Sequence, residues 1–107
     1  MTYSLTVADI LSWYRSKQRS LEGSTVSLAE IREVAQEKAA AVAEFDGTDS
    51  TGRISGWISG EFDFEAIRGS DGKDLFWQHV DVSSTEQLEV LYVDFIAAMK
   101  DSHTLPE

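Results

Sequence analysis

Residues 52–65, Gly-Arg-Ile-Ser-Gly-Trp-Ile-Ser-Gly-Glu-Phe-Asp-Phe-Glu, constrain this chain more than any other stretch. Polar and apolar residues alternate on both sides of a glycine, the pattern of a β-hairpin with one wet and one dry face. The alternation also sets the register. If Gly60 closes a three-residue loop, Ile58-Ser59-Gly60, in a left-handed bulge, Trp57 faces Glu61 and Ile54 faces Phe64. Ile54, Gly56, Phe62, Phe64 and Ala66 then share one face; Arg53, Ser55, Trp57, Glu61, Asp63 and Glu65 share the other. A two-residue loop at Ser59-Gly60 would instead place Ile54 and Ile58 among the carboxylates. A one-residue slip sends every side chain to the wrong face, so the first register is expected. It leaves an acidic outer surface that carries a tryptophan.

The flanking segments supply material to cover the dry face. Thr6 and Asp9 have the spacing of a capping box, and Val7, Ile10, Leu11, Tyr14 and Leu21 follow helical spacing, interrupted by polar Gln18. A helix over about 6–21 is expected, ended by Gly23. Residues 24–47 read two ways. The alanines and the spacing of Leu28, Ile31, Ala35 and Val42 favour a helix. The alternation of Val26 and Leu28 with Thr25 and Ser27 favours a strand 24–31, a polar turn around 33–38 and a strand 39–46. Residues 47–52 form a loop by composition, and Asp71-Gly72 a turn before a strand 74–82. In that strand Phe76, Val80 and Val82 share one face, while Leu75, Trp77, His79 and Asp81 share the other. Ser84 and Gln87 cap a last helix striped by Leu88, Leu91, Tyr92, Phe95, Ile96 and Met99. Residues 101–107 are expected to fray.

The expected fold class is α+β: an antiparallel sheet of about four to five strands, with the N- and C-terminal helices packed on one face, in a single domain over 1–107. An antiparallel sheet tolerates water on its other side.

Composition narrows the partners. The 107 residues carry 19 acidic and 9 basic side chains, a formal net charge of −10, and no cysteine. A field of that sign repels phosphate backbones and anionic membranes and speeds encounter with a basic protein. No apolar run approaches the roughly 20 residues of a membrane span. With no secretory signal visible at the N-terminus, a cytoplasmic location is the expectation.

Chemistry is harder to find. His79 and His103 have no second histidine or cysteine at ligand spacing, so no metal site is expected. Asp46-Gly47-Thr48-Asp49-Ser50 lacks the calcium-loop pattern. No phosphate-binding glycine loop, dinucleotide fingerprint or Gly-x-Ser-x-Gly turn occurs, so neither a cofactor nor a catalytic residue is assigned. Glu61, Asp63 and Glu65 offer paired carboxylates for acid–base work, but alternating acids more often form the wet face of a strand. Trp57 shares its face with charged residues, which suits a binding anchor better than a core residue; Trp77 is a second candidate and Trp13 reads as packing.

Gly52-Arg53-Ile54-x-x-Trp57, then Ser59-Gly60-Glu61-Phe62-Asp63-Phe64-Glu65, then Trp77 with His79 and a short capped C-terminal helix together resemble the TriTu-type immunity proteins, associated with bacterial Rhs polymorphic toxins. The resemblance spans about residues 7–100; it is strongest over 52–82 and weak over 24–47. It implies a protein that binds a cognate toxin domain in the producing cell. The toxin of the founding pair resembles an ADP-ribosyltransferase, delivered by type VI secretion, that modifies elongation factor Tu. Neutralisation would come from steric blockade of the toxin's NAD or target-binding cleft, with no catalysis by the immunity protein. The resemblance also favours the strand–turn–strand reading of 24–46.

The expected partner-binding set is therefore Trp57 as anchor, surrounded by Asp46, Asp49, Glu61, Asp63 and Glu65, with Arg53 and Trp77 beside it. The free protein is expected to be monomeric. Other classes remain: an acidic adaptor or chaperone for a secreted protein, a nucleic-acid mimic, or a small enzyme using Glu61, Asp63 and Glu65.

Overall fold

A computed structural model describes residues 5–100. The expected fraying of 101–107, and His103 within it, lies outside the described residues. The elements run α1 (Val7–Ser20), β1 (Ser27–Val34), β2 (Ala40–Asp46), β3 (Ser50–Trp57), β4 (Glu61–Arg68), β5 (Asp74–Asp81), a 3-10 turn (Thr85–Leu88) and α2 (Glu89–Lys100). The fold is α+β, with five antiparallel strands in the sequential order β1-β2-β3-β4-β5. α1 lies over β1 and β2, and α2 over β3, β4 and β5.

The capping signals act as their spacing implies. The Thr6 N–H donates to Asp9 Oδ2 at 3.0 Å, and the Asp9 N–H donates to Thr6 Oγ1 at 3.1 Å. Gln87 Oε1 accepts from the backbone of Ser83 and Ser84 at 2.7 and 3.2 Å. Gln18, the polar residue in the stripe of α1, donates from Nε2 to the Leu28 carbonyl at 3.3 Å. It therefore satisfies a backbone acceptor at the join between helix and sheet.

The hairpin register is the one its alternation demands. Ile54 pairs with Phe64 and Gly56 with Phe62, across a loop of Ile58, Ser59 and Gly60. Gly60 sits at φ +98°, and a Cβ there would lie 2.1 Å from the Val82 carbonyl oxygen. Both conformation and space therefore call for glycine.

Residues 24–46 are strand, turn and strand rather than helix, displaced by a few positions from the expected bounds: β1 runs to Val34 and the turn covers 35–39. The helical spacing of Leu28 and Ile31 has a local cause. The β1–β2 register shifts between Leu28 and Glu30, a bulge at Ala29. The extra residue brings Leu28 and Ile31, three apart, to the same dry face.

Phe95 of α2 is the hub of the core. Its ring meets Phe45, Phe64 and Phe76 edge-on, with centroids 5.2, 5.6 and 5.9 Å away. Tyr14 of α1 is fully buried, and its hydroxyl reaches the carbonyls of Ala41 at 2.9 Å and Ile54 at 3.3 Å. That hydroxyl ties α1 to β2 and β3, and burial pushes its pKa up. With both helices on one side, the other face of the sheet is left open.

Candidate binding face

The register orders the open face into rows across the strands. One row runs Val34, Ala40 and Trp57, with Glu61 and Asp81 paired beyond the hairpin loop. The next runs Arg32, Val42, Ser55, Asp63 and His79. A third runs Glu30, Glu44, Arg53, Glu65 and Trp77. At the far end lie Asp46, Thr51, Ile67 and Asp74. Strands of this length extend about 26 Å, and four inter-strand gaps add about 19 Å in width. Those dimensions enclose roughly 500 Å², more than half of the roughly 800 Å² that one partner buries in a standard protein interface, before the relief of the side chains is added.

Charges on this face are organised. Arg32 contacts Glu30 at 3.1 Å and Glu44 at 3.0 Å; Arg53 contacts Glu44 at 3.5 Å and Glu65 at 3.9 Å. The Arg32 guanidinium holds the Glu44 carboxyl below the usual carboxylate range, with Arg53 adding to the effect. Lys38 donates to Glu61 at 2.5 Å and Ser59 to the same oxygen at 2.9 Å, and together they lower the Glu61 pKa. Asp63 Oδ1 lies 2.5 Å from His79 Nδ1 and raises the histidine's pKa; the Asp81 and Glu61 charges add to it.

The expected site residues are placed as follows. Glu61, Asp63, Glu65, Arg53, Trp57 and Trp77 all lie on the open face. Asp46 and Asp49 do not surround Trp57. Asp46 pairs with Thr51, six residues along β3 from Trp57, about 20 Å away. Asp49 is a loop fastener: its carboxylate accepts from the Ser70 hydroxyl at 2.9 Å, and its carbonyl accepts from the Gly69 N–H at 2.9 Å. The two tryptophans also differ. Trp57, opposite Ala40 within the sheet, is half-buried, whereas Trp77 on the edge strand β5 is 62 % exposed. Trp13 is buried.

A groove of about 310 Å³ opens at the Asp46 end, bordered by Trp77, Arg53, Glu65, Asp46, Asp74 and Ile67. Asp74, Ile67, Glu44 and the basic residues Arg32 and Lys38 were not among the expected site residues. Outward alternation along β2 and β4 points to Glu44 and Ile67 once the sheet register is known.

Among the described residues, Glu61, His79 and Asp81 come close enough to share an ion, with ligating atoms within 4.8 Å of one another. All three are at the surface or half-buried, and Glu61 already serves Lys38 and Ser59. Glu61 and Asp63 lie outside the groove, in the open rows of the sheet. No helix among the described residues is long and apolar enough to cross a membrane.

An α+β scaffold with both helices on one side and a broad acidic sheet face on the other defines a class of small protein built around an open surface. The sequence model of the family described as immunity protein TriTu matches residues 8–98. The chain belongs to this immunity protein family, and a toxin protein is accordingly its partner. No curated protein matches the chain.

Proposed function

We propose that the protein neutralises an antibacterial ADP-ribosyltransferase toxin, delivered by type VI secretion, by covering its active or target-binding cleft with the open sheet face. The observation that carries this reading is the chemistry of that face: cross-strand carboxylates with an exposed Trp77 and a half-buried Trp57 among them. Such a face suits a basic toxin surface. Acidity speeds capture, and well-packed aromatic anchors slow release. A rigid hydrogen-bonded sheet also loses little conformational freedom on docking. The partner-binding set is Trp57, Trp77, Arg53, Glu61, Asp63 and Glu65, with Asp46 at the groove end; Asp49 contributes by holding the adjoining loops. Binding takes place in the cytoplasm of the producing cell, by a monomer that is a single domain.

The test is reconstitution with the cognate toxin domain, elongation factor Tu and labelled NAD. The protein is expected to abolish label transfer at a one-to-one ratio. A double substitution, Asp63→Lys with Glu65→Lys, is expected to restore transfer while circular dichroism shows an intact fold. Full inhibition by that folded variant would remove the sheet face from the mechanism.

A further inference from the structure

The groove beside Trp77 combines two features that sit badly together in an isolated protein. One is a large indole, 62 % exposed. The other is negative charge that is only partly compensated. Of the groove's carboxylates, Glu44 is satisfied by Arg32 and Arg53. Among the described residues Glu65 pairs with Arg53, at 3.9 Å. Asp46 and Asp74 pair with no cation among the described residues. Glu65 is the direct cross-strand partner of Trp77, and Asp74 of Ile67, so an acid, an indole and an aliphatic side chain meet at one spot.

We propose that this groove receives one arginine side chain of the bound toxin, its guanidinium flat on Trp77 and paired with Glu65 and Asp74, its methylenes over Ile67. The proposal rests on the reading of the open face as the toxin-binding face and names what that face recognises. Three arguments select arginine. A guanidinium is planar and weakly hydrated, so its whole face stacks on an indole while its edge donates to two carboxylates in a fixed fork; a compact, strongly hydrated ammonium has no flat face to stack and no fork to present. An apolar side chain would desolvate Glu65 and Asp74 without pairing them, and an acidic one would be repelled. Finally, Arg53 does not close the site to a second cation. It reaches Glu65 at 3.9 Å and Glu44 at 3.5 Å, and a carboxylate has two oxygens that accept from different donors.

The whole protein, titrated with N-acetylarginine amide and separately with N-acetyllysine amide, reports on the groove without the toxin. Amide and indole signals of Glu65, Ile67, Asp74 and Trp77 are expected to move with the arginine compound, with an affinity about two- to fivefold higher than for the lysine compound. Trp77→Ala, a substitution at an exposed position, is expected to erase that preference, and Asp74→Asn to weaken both compounds. Equal affinities for the two compounds, or shifts elsewhere on the molecule, would overturn the proposal. Neutralisation of the toxin by a protein whose groove ignores arginine would leave the proposed function standing and remove only this contact. A groove that selects arginine in a protein whose open face does not touch the toxin would remove the open face from the mechanism and overturn the toxin as the source of the arginine.

Discussion

Asp63 and His79 face each other across β4 and β5, with Oδ1 2.5 Å from Nδ1, midway along the strands at the β5 side of the open sheet face. The hydrogen bond to Asp63 raises the pKa of His79 above its ordinary value of about 6.5, with the Asp63, Asp81 and Glu61 charges acting the same way. A raised histidine pKa means that the folded state favours the proton. The contribution to stability is complete below the ordinary value and is lost as pH rises through the raised one. An NMR titration of the ring is expected to place His79 above 6.5, and Asp63→Asn to bring it back down. The stability gap between wild type and Asp63→Asn is expected to narrow from pH 6 to pH 9. A gap that widens over that range would contradict the pairing.

Glu89 joins the two helices. Its carboxylate accepts from Trp13 Nε1 and from Lys17 Nζ, each at 2.5 Å, and the same ammonium lies 4.9 Å from the centroid of the Tyr92 ring. Burial pushes the Glu89 pKa up, but the hydrogen bonds from Lys17 and Trp13 outweigh it and the net shift is downward. The stabilisation is therefore present above the ordinary carboxylate value and is lost as pH falls through the lowered one. Glu89→Ala is expected to cost about 1 kcal/mol at neutral pH, mainly by leaving a buried indole N–H unpaired. Glu89→Gln, which keeps an acceptor for Trp13, is expected to cost less. Urea unfolding at pH 7 and pH 3 separates the two contributions: the gap between wild type and Glu89→Ala shrinks at the lower pH.

Gly56 and Phe62 are cross-strand partners, and the phenylalanine ring covers the glycine. A Cβ on Gly56 would stand 2.2 Å from Phe62 Cε2. Gly56→Ala is expected to destabilise by about 1–3 kcal/mol, because the ring must leave a packed site. The companion change Phe62→Leu removes the obstruction, so the double variant is expected to be more stable than the sum of the two single losses. Strict additivity in thermal melts would show that the ring does not need the absent Cβ.

The hairpin was legible in the sequence because three signals agree there: alternation on both arms, a glycine in the loop where the backbone turns left-handed, and opposite chemistry on the two faces. β1 and β2 were legible only as one of two readings: the alternation around Val26 and Leu28 favoured strands, and the alanines favoured a helix. The bulge at Ala29 gives Leu28 and Ile31 a helical spacing inside a strand, and Ala39–Ala41 are small side chains that local propensity assigns to helices. Packing beneath α1 leaves room for little more at Ala41 and Ala43, which are fully buried, so a long-range demand overrides a local preference. The tryptophans show the same limit. Alternation places both on the wet face but says nothing of their neighbours. Trp57 is partly covered because it lies inside the sheet opposite Ala40, whereas Trp77 is bare because β5 is an edge. The grouping of Asp46 with Trp57 failed for a related reason: both point outward, yet they stand at opposite ends of the strand pair.

The open face and the helix layer present rival surfaces, and substitution can decide between them. Val93 is 63 % exposed on α2, the layer opposite the open sheet face. If the toxin docks on the sheet, Val93→Lys leaves the dissociation constant unchanged, while Trp77→Ala and Glu61→Lys each raise it at least tenfold, a loss of about 1.4 kcal/mol or more. Glu61→Lys also sets two ammonium groups together at Lys38, so Glu61→Gln serves as its milder companion and is expected to slow association more than it speeds dissociation. Salt supplies an independent reading. An acidic face that steers a basic partner gives a wild-type association rate that falls by about tenfold as ionic strength rises from low to high, and the slope is shallower in Glu61→Gln. A large effect of Val93→Lys, together with a salt slope unchanged by Glu61→Gln, would move the interface to the helices.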